Sequence, residues 1–215
     1  MRVIAGTAKG RRLKSVPGDT TRPILDRVKE SLFNIVSEQT VGTHWLDLFA
    51  GTGQVGIEAL SRGAGHVVFV DMAKAAVTTI SGNLKLCKIT EGARVIRSDS
   101  FAILDQIHSG RWRGELFDYV FVAPPQYEGL WLKALLVIDS APDQFLTEFG
   151  EVIVQIDPKE MRDTEEAEGW PLANLVKIDE RNYGRTLIQF YARPDDDTTE
   201  ETGAEIEREA DGDEA

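Results

Sequence analysis

Apolar and polar positions follow two rhythms along the chain. Short apolar runs rich in β-branched and aromatic residues occupy 44–50 (HWLDLFA), 66–71 (HVVFVD), 93–99 (ARVIRSD), 117–122 (FDYVFV) and 151–156 (EVIVQI). Runs of that length and composition predict buried strands. Between them, 53–64, 73–87, 101–108 and 130–139 carry apolar residues at helical spacing. In the first of these, Val55, Ile57, Ala59 and Leu60 supply the buried side and Gly63 marks the end. Gly82 is a weak point of the second. The repeated strand–helix unit predicts an α/β fold, a mostly parallel sheet with helices on both faces. The runs 175–180 and 186–192 flank RNYG and predict an antiparallel hairpin at a sheet edge. Ahead of the first strand, Val28, Leu32, Ile35 and Val36 line one side of an amphipathic helix.

Charge divides the chain into three parts. The 215 residues carry a net charge of -12. Residues 195–215 account for -10 of it, with 11 acids and one base. Residues 1–29 have 8 bases and 2 acids, a balance of +6. A basic extension (1–40), a near-neutral body (41–193) and an acidic tail (194–215) follow. The tail has too few apolar residues to fold by itself, so disorder is expected there. The basic head suits an anionic partner.

Composition narrows the setting. Hydrophobic residues make up 42% and mean hydropathy is -0.23, as in soluble globular proteins. No apolar run approaches the ~20 residues of a membrane span. The start, MRVIAGTAKGRR, lacks the apolar core of a signal peptide. Cys87 is the single cysteine, which excludes an internal disulfide, and its helical neighbours suggest a buried thiol. A cytoplasmic location is expected. His44, His66 and His108 lack metal-ligand spacing, so no metal site is expected. Ser61 and Ser98 have no nucleophile motif around them. Trp45, Trp112 and Trp170 read as packing residues.

A parallel sheet binds ligands beyond the carboxyl ends of its strands. After the first strand come Gly51, Gly53 and Gly56, a G-x-G-x-x-G spacing that lets backbone approach a ligand at a helix start. That spacing serves both dinucleotides and S-adenosylmethionine (SAM). Asp71 follows the second strand and suits a ribose diol. Asp99 follows the third and suits an adenine amine. Asp47, near the glycine loop, would repel a pyrophosphate and attract a methionyl ammonium. Together they favour SAM over NAD, although each aspartate singly also suits a helix cap.

After the fourth strand comes FVAPPQYEGLW. Prolines cannot donate to a ladder, so the strand must stop at Ala123. A rigid proline pair beside a SAM site suits methylation of an amino group.

The stretches MRVIAGTAKGRRLKSVPGDTTRPILDRVKESLFNIV and WLDLFAGTGQVGIEALSRGA resemble the RsmD-type bacterial 16S rRNA (guanine-N2) methyltransferases. The likeness runs from Met1 through YGRTLIQFY, leaving out the acidic tail. It implies a class I (Rossmann-like) methyltransferase with a seven-stranded sheet and a small N-terminal hairpin and helix. It implies SAM as donor, held by Asp47, Gly51, Gly53, Asp71 and Asp99. It implies a guanine amine of 16S rRNA, or of the small ribosomal subunit, as acceptor. A monomer is expected. Arg2, Lys9, Arg11, Arg12, Arg22 and Arg27 are the expected RNA contacts, with Lys29 also free to face RNA or solvent.

The family motif is Asp/Asn-Pro-Pro-aromatic. This chain keeps Pro124 and Pro125 but has Ala123 before them and Gln126 after them. An aryl amine is a poor nucleophile until acceptors draw on its N–H groups. The carbonyls of Ala123 and Pro124 remain available. Gln126 is the expected replacement acceptor, and Tyr127 or Trp131 the stacking face for a flipped base. Losing such an acceptor commonly costs ~10²–10³ in rate. Three other readings stay open: a noncatalytic RNA-binding protein of this fold, an N-methyltransferase acting on DNA or a protein amide, and a nicotinamide oxidoreductase.

Overall fold

The computed structural model describes residues 1–17, 24–161 and 172–194. Arg22, Trp170 and the acidic stretch 195–215 lie outside the described residues. Seven described strands share one sheet: β1 (His44–Asp47), β2 (His66–Asp71), β3 (Ala93–Arg97), β4 (Phe117–Val122), β5 (Leu146–Ile156), β6 (Val176–Asn182) and β7 (Leu187–Ala192). Their order is β3-β2-β1-β4-β5-β7-β6. The first five are parallel, and β7 runs antiparallel between β5 and β6. This is the class I methyltransferase sheet that the sequence resemblance implies. The order reverses between β1 and β4, the place where open α/β sheets take ligands.

Side chains alternate along these strands, so the inner strands feed two cores, while β6 is mostly exposed and β3, expected buried, is an edge strand with no fully buried residue. Trp45, Val67, Phe69, Tyr119, Phe121 and Ile153 join one, with α1 (Asp26–Val36), α2 (Gln54–Ser61) and α3 (Lys74–Cys87). Leu46, Val68, Val70, Val120 and Val152 join the other, with α4 (Ser100–His108) and α5 (Leu130–Asp139). Burial on both faces explains the near-continuous apolar runs. Cys87 is buried in the first core.

Several boundaries differ from expectation. β1 stops at Asp47, not at 50. Leu48–Ala50 already curve into the loop, although Leu48 N–H still donates to the Phe121 carbonyl (3.1 Å) and Ala50 N–H to that of Val70 (3.0 Å). β5 begins five residues early, because the exposed Phe149 and the following Gly150 interrupt its apolar pattern. In the hairpin, Arg181 and Asn182 belong to β6, and the turn centres on Gly184 at φ 72°. α3 passes unbroken through Gly82, where a side chain would meet open space.

Residues 1–13 form a small hairpin. Arg2 bridges Arg12, Val3 N–H donates to the Arg11 carbonyl (3.0 Å), and Gly10 N–H to that of Val3 (2.8 Å). This hairpin lies against α2. Gly6 has φ 77°, and a Cβ there would lie 1.7 Å from the Ser61 carbonyl, so no other residue fits. The Ser61 hydroxyl donates to the Ala5 carbonyl (2.6 Å) and accepts from Ala8 N–H (2.9 Å).

Lys29 is the main correction. Expected on the outer side of α1, it is wholly buried. Lys29, Leu32, Phe33 and Val36 follow i, i+3, i+4, i+7, so the lysine shares the apolar stripe. Phe33 is fully buried in that stripe, while Ile35 is only half-buried. The Lys29 ammonium lies 3.1 Å from Glu58 Oε2 and donates to the Arg2 carbonyl (2.6 Å). Burial pushes its pKa down, against the upward pull of Glu58. Glu58, itself fully buried, also accepts from Ile4 N–H (2.8 Å), Ala5 N–H (2.9 Å) and Arg62 Nε (3.0 Å).

Removing one partner of a buried pair strands the other charge, at a cost of about 3–5 kcal/mol. Glu58→Gln is therefore expected to lose stability on that scale in urea unfolding. Lys29→Met added to it should recover part of the loss. Equal unfolding midpoints for wild type and Glu58→Gln would show that the pair contributes nothing net.

Candidate active site

The glycine loop leaves β1 and enters α2. Gly51 and Gly53 have φ 53° and 73°, the left-handed region that favours glycine. A Cβ on Gly51 would meet only the Phe49 carbonyl at 4.0 Å, so it would project into open space above the loop. Gly56 is needed for a different reason. A Cβ there would lie 2.3 Å from the Phe69 ring, because α2 packs directly on β2. Space above the loop and contact below it suit a ligand that lies on bare backbone.

Three aspartates surround the loop. Asp47 is buried beneath it, and its carboxylate accepts from Gly56 N–H (3.3 Å). Burial, reinforced by the charge of Asp71, pushes its pKa from 3.8 up to about 7. Asp71 ends β2 and braces the loop: it accepts from Gly51 N–H (2.9 Å) and Ala73 N–H (2.8 Å). Asp99 is exposed and caps α4, with Oδ1 accepting from Phe101 N–H (2.8 Å) and Ala102 N–H (3.2 Å). So the capping role and the site position coexist at Asp99. Its other oxygen has no hydrogen bond to a described residue.

Two apolar side chains beside these acids escaped the sequence reading. Met72, directly after Asp71, is 68% exposed. Phe101, two residues after Asp99, is half-buried, with its ring 6.3 Å from that of Phe49 and Lys133 Nζ 4.4 Å from its centroid. A large apolar residue exposed at a strand end was the available signal.

The proline loop emerges beside the glycine loop, because β1 and β4 are neighbours with Asp47 level with Phe121. β4 ends at Val122, as the prolines require. Ala123 is half-buried, Pro124 buried, and Pro125, Gln126 and Tyr127 are exposed. Tyr127 has φ 63°, rare for a residue with a side chain. Trp131 does not reach this loop face; it is fully buried in the second core.

Gln126 lines a recess with Gln155, Asp157 and Arg185, walled by Ile24 and Leu25 at the entrance to α1. Asp157 follows β5 and is 4% exposed. It accepts from Lys159 N–H (3.0 Å), Arg185 Nε lies 3.8 Å from it, and it is close enough to the Tyr127 phenol to push that group's pKa up. Burial pushes its pKa up, but the Lys159 N–H, the Tyr127 hydroxyl and Arg185 outweigh that and hold it below the usual range. Asp157 and Arg185 were not among the expected site residues. Reading one strand further would have found the acid, since β5 ends as β2 and β3 do.

Arg2, Lys9, Arg11, Arg12 and Arg27 are all exposed, with Arg2 paired to Asp26 at 3.5 Å. The arm that carries most of them touches the glycine loop. Asn83, fully buried on α3, bonds both Lys14 N–H (2.8 Å) and the Thr52 carbonyl (3.0 Å). Trp45 is core, stacked on Phe33. His44 and His66 begin β1 and β2, at the far end of the sheet from these loops, where His44 Nδ1 lies 2.8 Å from Glu115. Trp112 also lines that far recess, with Arg94 over its ring at 5.0 Å.

Comparison with known proteins agrees with this geometry. The family model described as "Conserved hypothetical protein 95" matches residues 1–192. "Putative rRNA methyltransferase YlbH" of Bacillus subtilis is 42% identical over 194 residues, 90% of this chain and 99% of that protein. "Ribosomal RNA small subunit methyltransferase D" of Haemophilus influenzae is 35% identical over 67% of this chain and 80% of its own length. Among solved structures, "Putative methyltransferase yhhF from Escherichia coli" superposes with a TM-score of 0.72 at 31% identity, covering 90% of this chain and 97% of that one.

The buried Asp47 gives a pH signature. Its folded pKa exceeds the unfolded value, so the native state binds the proton more tightly. That contribution is complete below about 3.8 and is lost as pH rises to about 7. Asp47→Asn is expected to be more stable than wild type at pH 8, with a flatter stability profile between pH 4 and 7. Parallel urea profiles for the two proteins would contradict it.

Proposed function

Since the chain belongs to the Conserved hypothetical protein 95 family, whose RsmD-type methyltransferases its sequence resembles, we propose that it transfers a methyl group from SAM to the exocyclic N2 amine of a guanine in 16S rRNA. The observation that carries this reading is the neighbourhood of two loops. The glycine loop and the proline pair leave adjacent strands at the switch point, with acids at the ends of the strands around them.

When bound, SAM supplies an electrophilic methyl carbon on a sulfonium. The residues present fit it. The Gly51 backbone leaves room for its body, and Asp71 retains lone pairs for the ribose hydroxyls. The free oxygen of Asp99 suits the adenine amine, and Met72 and Phe101 offer apolar faces to the ring. Asp47 contributes negative charge beneath the loop once ionised, which favours an ammonium.

On the acceptor side, Pro124 and Pro125 fix the carbonyls of Ala123 and Pro124, Gln126 adds an amide, and Tyr127 presents an exposed ring for stacking. Positioning the amine contributes most of what the protein does here. The basic segment 1–40, with Arg2, Lys9, Arg11, Arg12, Arg22 and Arg27, serves as the RNA-binding extension of a catalytic domain spanning 41–193. The partner is the small ribosomal subunit in the cytoplasm, met by a single copy of the chain. Ala123, in place of the motif's acid or amide, favours a second reading: a noncatalytic RNA-binding protein that retains SAM binding.

Calorimetry is expected to show binding of SAM and its demethylated product, and none of NAD. Asp71→Ala loses charged acceptors worth about 1.5–3 kcal/mol per bond, hence ~10-fold or more in SAM affinity. Unchanged SAM binding in that variant would contradict the assignment. RNA binding should weaken as salt rises, and weaken further when Arg11 and Arg12 become Ala. Incubation with labelled SAM and undermethylated small subunits should label one guanine. SAM bound without any transfer would favour the noncatalytic reading.

A further inference from the structure

We propose that the acceptor absent at Ala123 is supplied from the next strand by Asp157, and that Asp157 and Arg185 together read the Watson–Crick edge of the target guanine. This rests on the methyltransferase reading above.

Strand register brings the acid to the right level. β4 and β5 are parallel, with Val122 level with Val154. β4 ends at that pair and β5 at Ile156, so the proline loop and Asp157 both lie just past the ends of adjacent strands, and Gln126 and Asp157 line one recess. The recess it shares with Gln126, Gln155 and Arg185 opens on the side where Tyr127 stands. Asp157 is buried, yet it is held ionised by the Lys159 N–H, the Tyr127 hydroxyl and Arg185.

The chemistry of this pair fits one base. Guanine presents two adjacent donors, N1–H and the N2 amine, next to the acceptor O6. An ionised carboxylate only accepts, and it can take both donors at once. Arg185, 75% exposed at the hairpin turn, only donates and suits O6. Adenine would place its N1 lone pair against a carboxylate and is disfavoured. The Tyr127 phenol is near enough to Asp157 for the carboxylate to raise its pKa, so the ring stands beside the same carboxylate. That ring is 57% exposed, open to a base held by the carboxylate.

Gln126 is the weaker candidate for this role. It is exposed on the turn, it is neutral, and its amide both donates and accepts, so it does not distinguish the two purines.

Three variants separate these roles: Asp157→Asn, Gln126→Ala, and Asp157→Asn combined with Ala123→Asp. Transfer from labelled SAM is measured on RNA carrying guanosine or 2-aminopurine at the methylated position. The second base keeps the amine but lacks N1–H and O6. Asp157→Asn should lower transfer to guanosine about 10²-fold, with SAM affinity by calorimetry unchanged. It should also lose the wild-type preference for guanosine. Restoring a carboxylate by Ala123→Asp should return part of the rate. Equal rates for wild type and Asp157→Asn, with Gln126→Ala impaired, would overturn the proposal in favour of Gln126. If Asp157→Asn melts early, the wild-type protein still decides: equal transfer to guanosine and to 2-aminopurine would overturn the proposal. Wild type that binds SAM and transfers nothing to guanosine would overturn the methyltransferase reading and this one with it.

Discussion

Glu58 is the interaction on which the rest depends. One buried carboxylate takes donors from Ile4, Ala5, Lys29 and Arg62, which belong to the arm, α1 and α2. A charge so buried is tolerable only when its lone pairs are filled and its charge is matched. Each donor is therefore constrained by the others. The arm cannot leave without stranding Glu58, and α1 cannot leave without stranding Lys29.

That constraint links two surfaces with different partners. α2 begins at the glycine loop and carries Glu58 and Ser61 in its second half. The arm they hold carries the exposed basic residues, and it returns to the loop at Lys14, through Asn83 to Thr52. The basic arm and the glycine loop are thus parts of one packed body. An arm moved by RNA would pull on the Thr52 backbone within two hydrogen bonds.

The acids at the strand ends share a second pattern. Asp47 bonds Gly56 N–H, Asp71 bonds Gly51 N–H, Asp99 caps α4 and Asp157 bonds Lys159 N–H. Each carboxylate is fixed by backbone through part of its lone pairs. A structural role for such an acid and a ligand role are not rivals, because the first aims the second. A carboxylate already held loses little freedom when a ligand arrives.

Local pattern was enough for the sheet. Strands buried on both faces must be apolar throughout, so β1, β2 and β4 stood out as runs, whereas β3, at the sheet edge, is only partly buried; the glycines and prolines marked where backbone must turn. The acids after β1, β2 and β3 were legible because each directly follows such a run. What pattern could not show were partners distant in sequence. Lys29 reads as a surface lysine until Glu58, 29 residues on, neutralises it inside the core. The early start of β5 was masked by an exposed Phe149 and by Gly150, both unlike the buried strand they extend. Asp157 and Arg185 look ordinary in their own neighbourhoods. They meet because β5 lies beside β4 and the β6–β7 hairpin folds back on β5. The sequence by itself determined the elements and the cofactor loop, since those depend on local burial and backbone freedom. Only the tertiary structure decided which charges are buried together and which side chains share the recess beside the proline loop, since those depend on strand order and register.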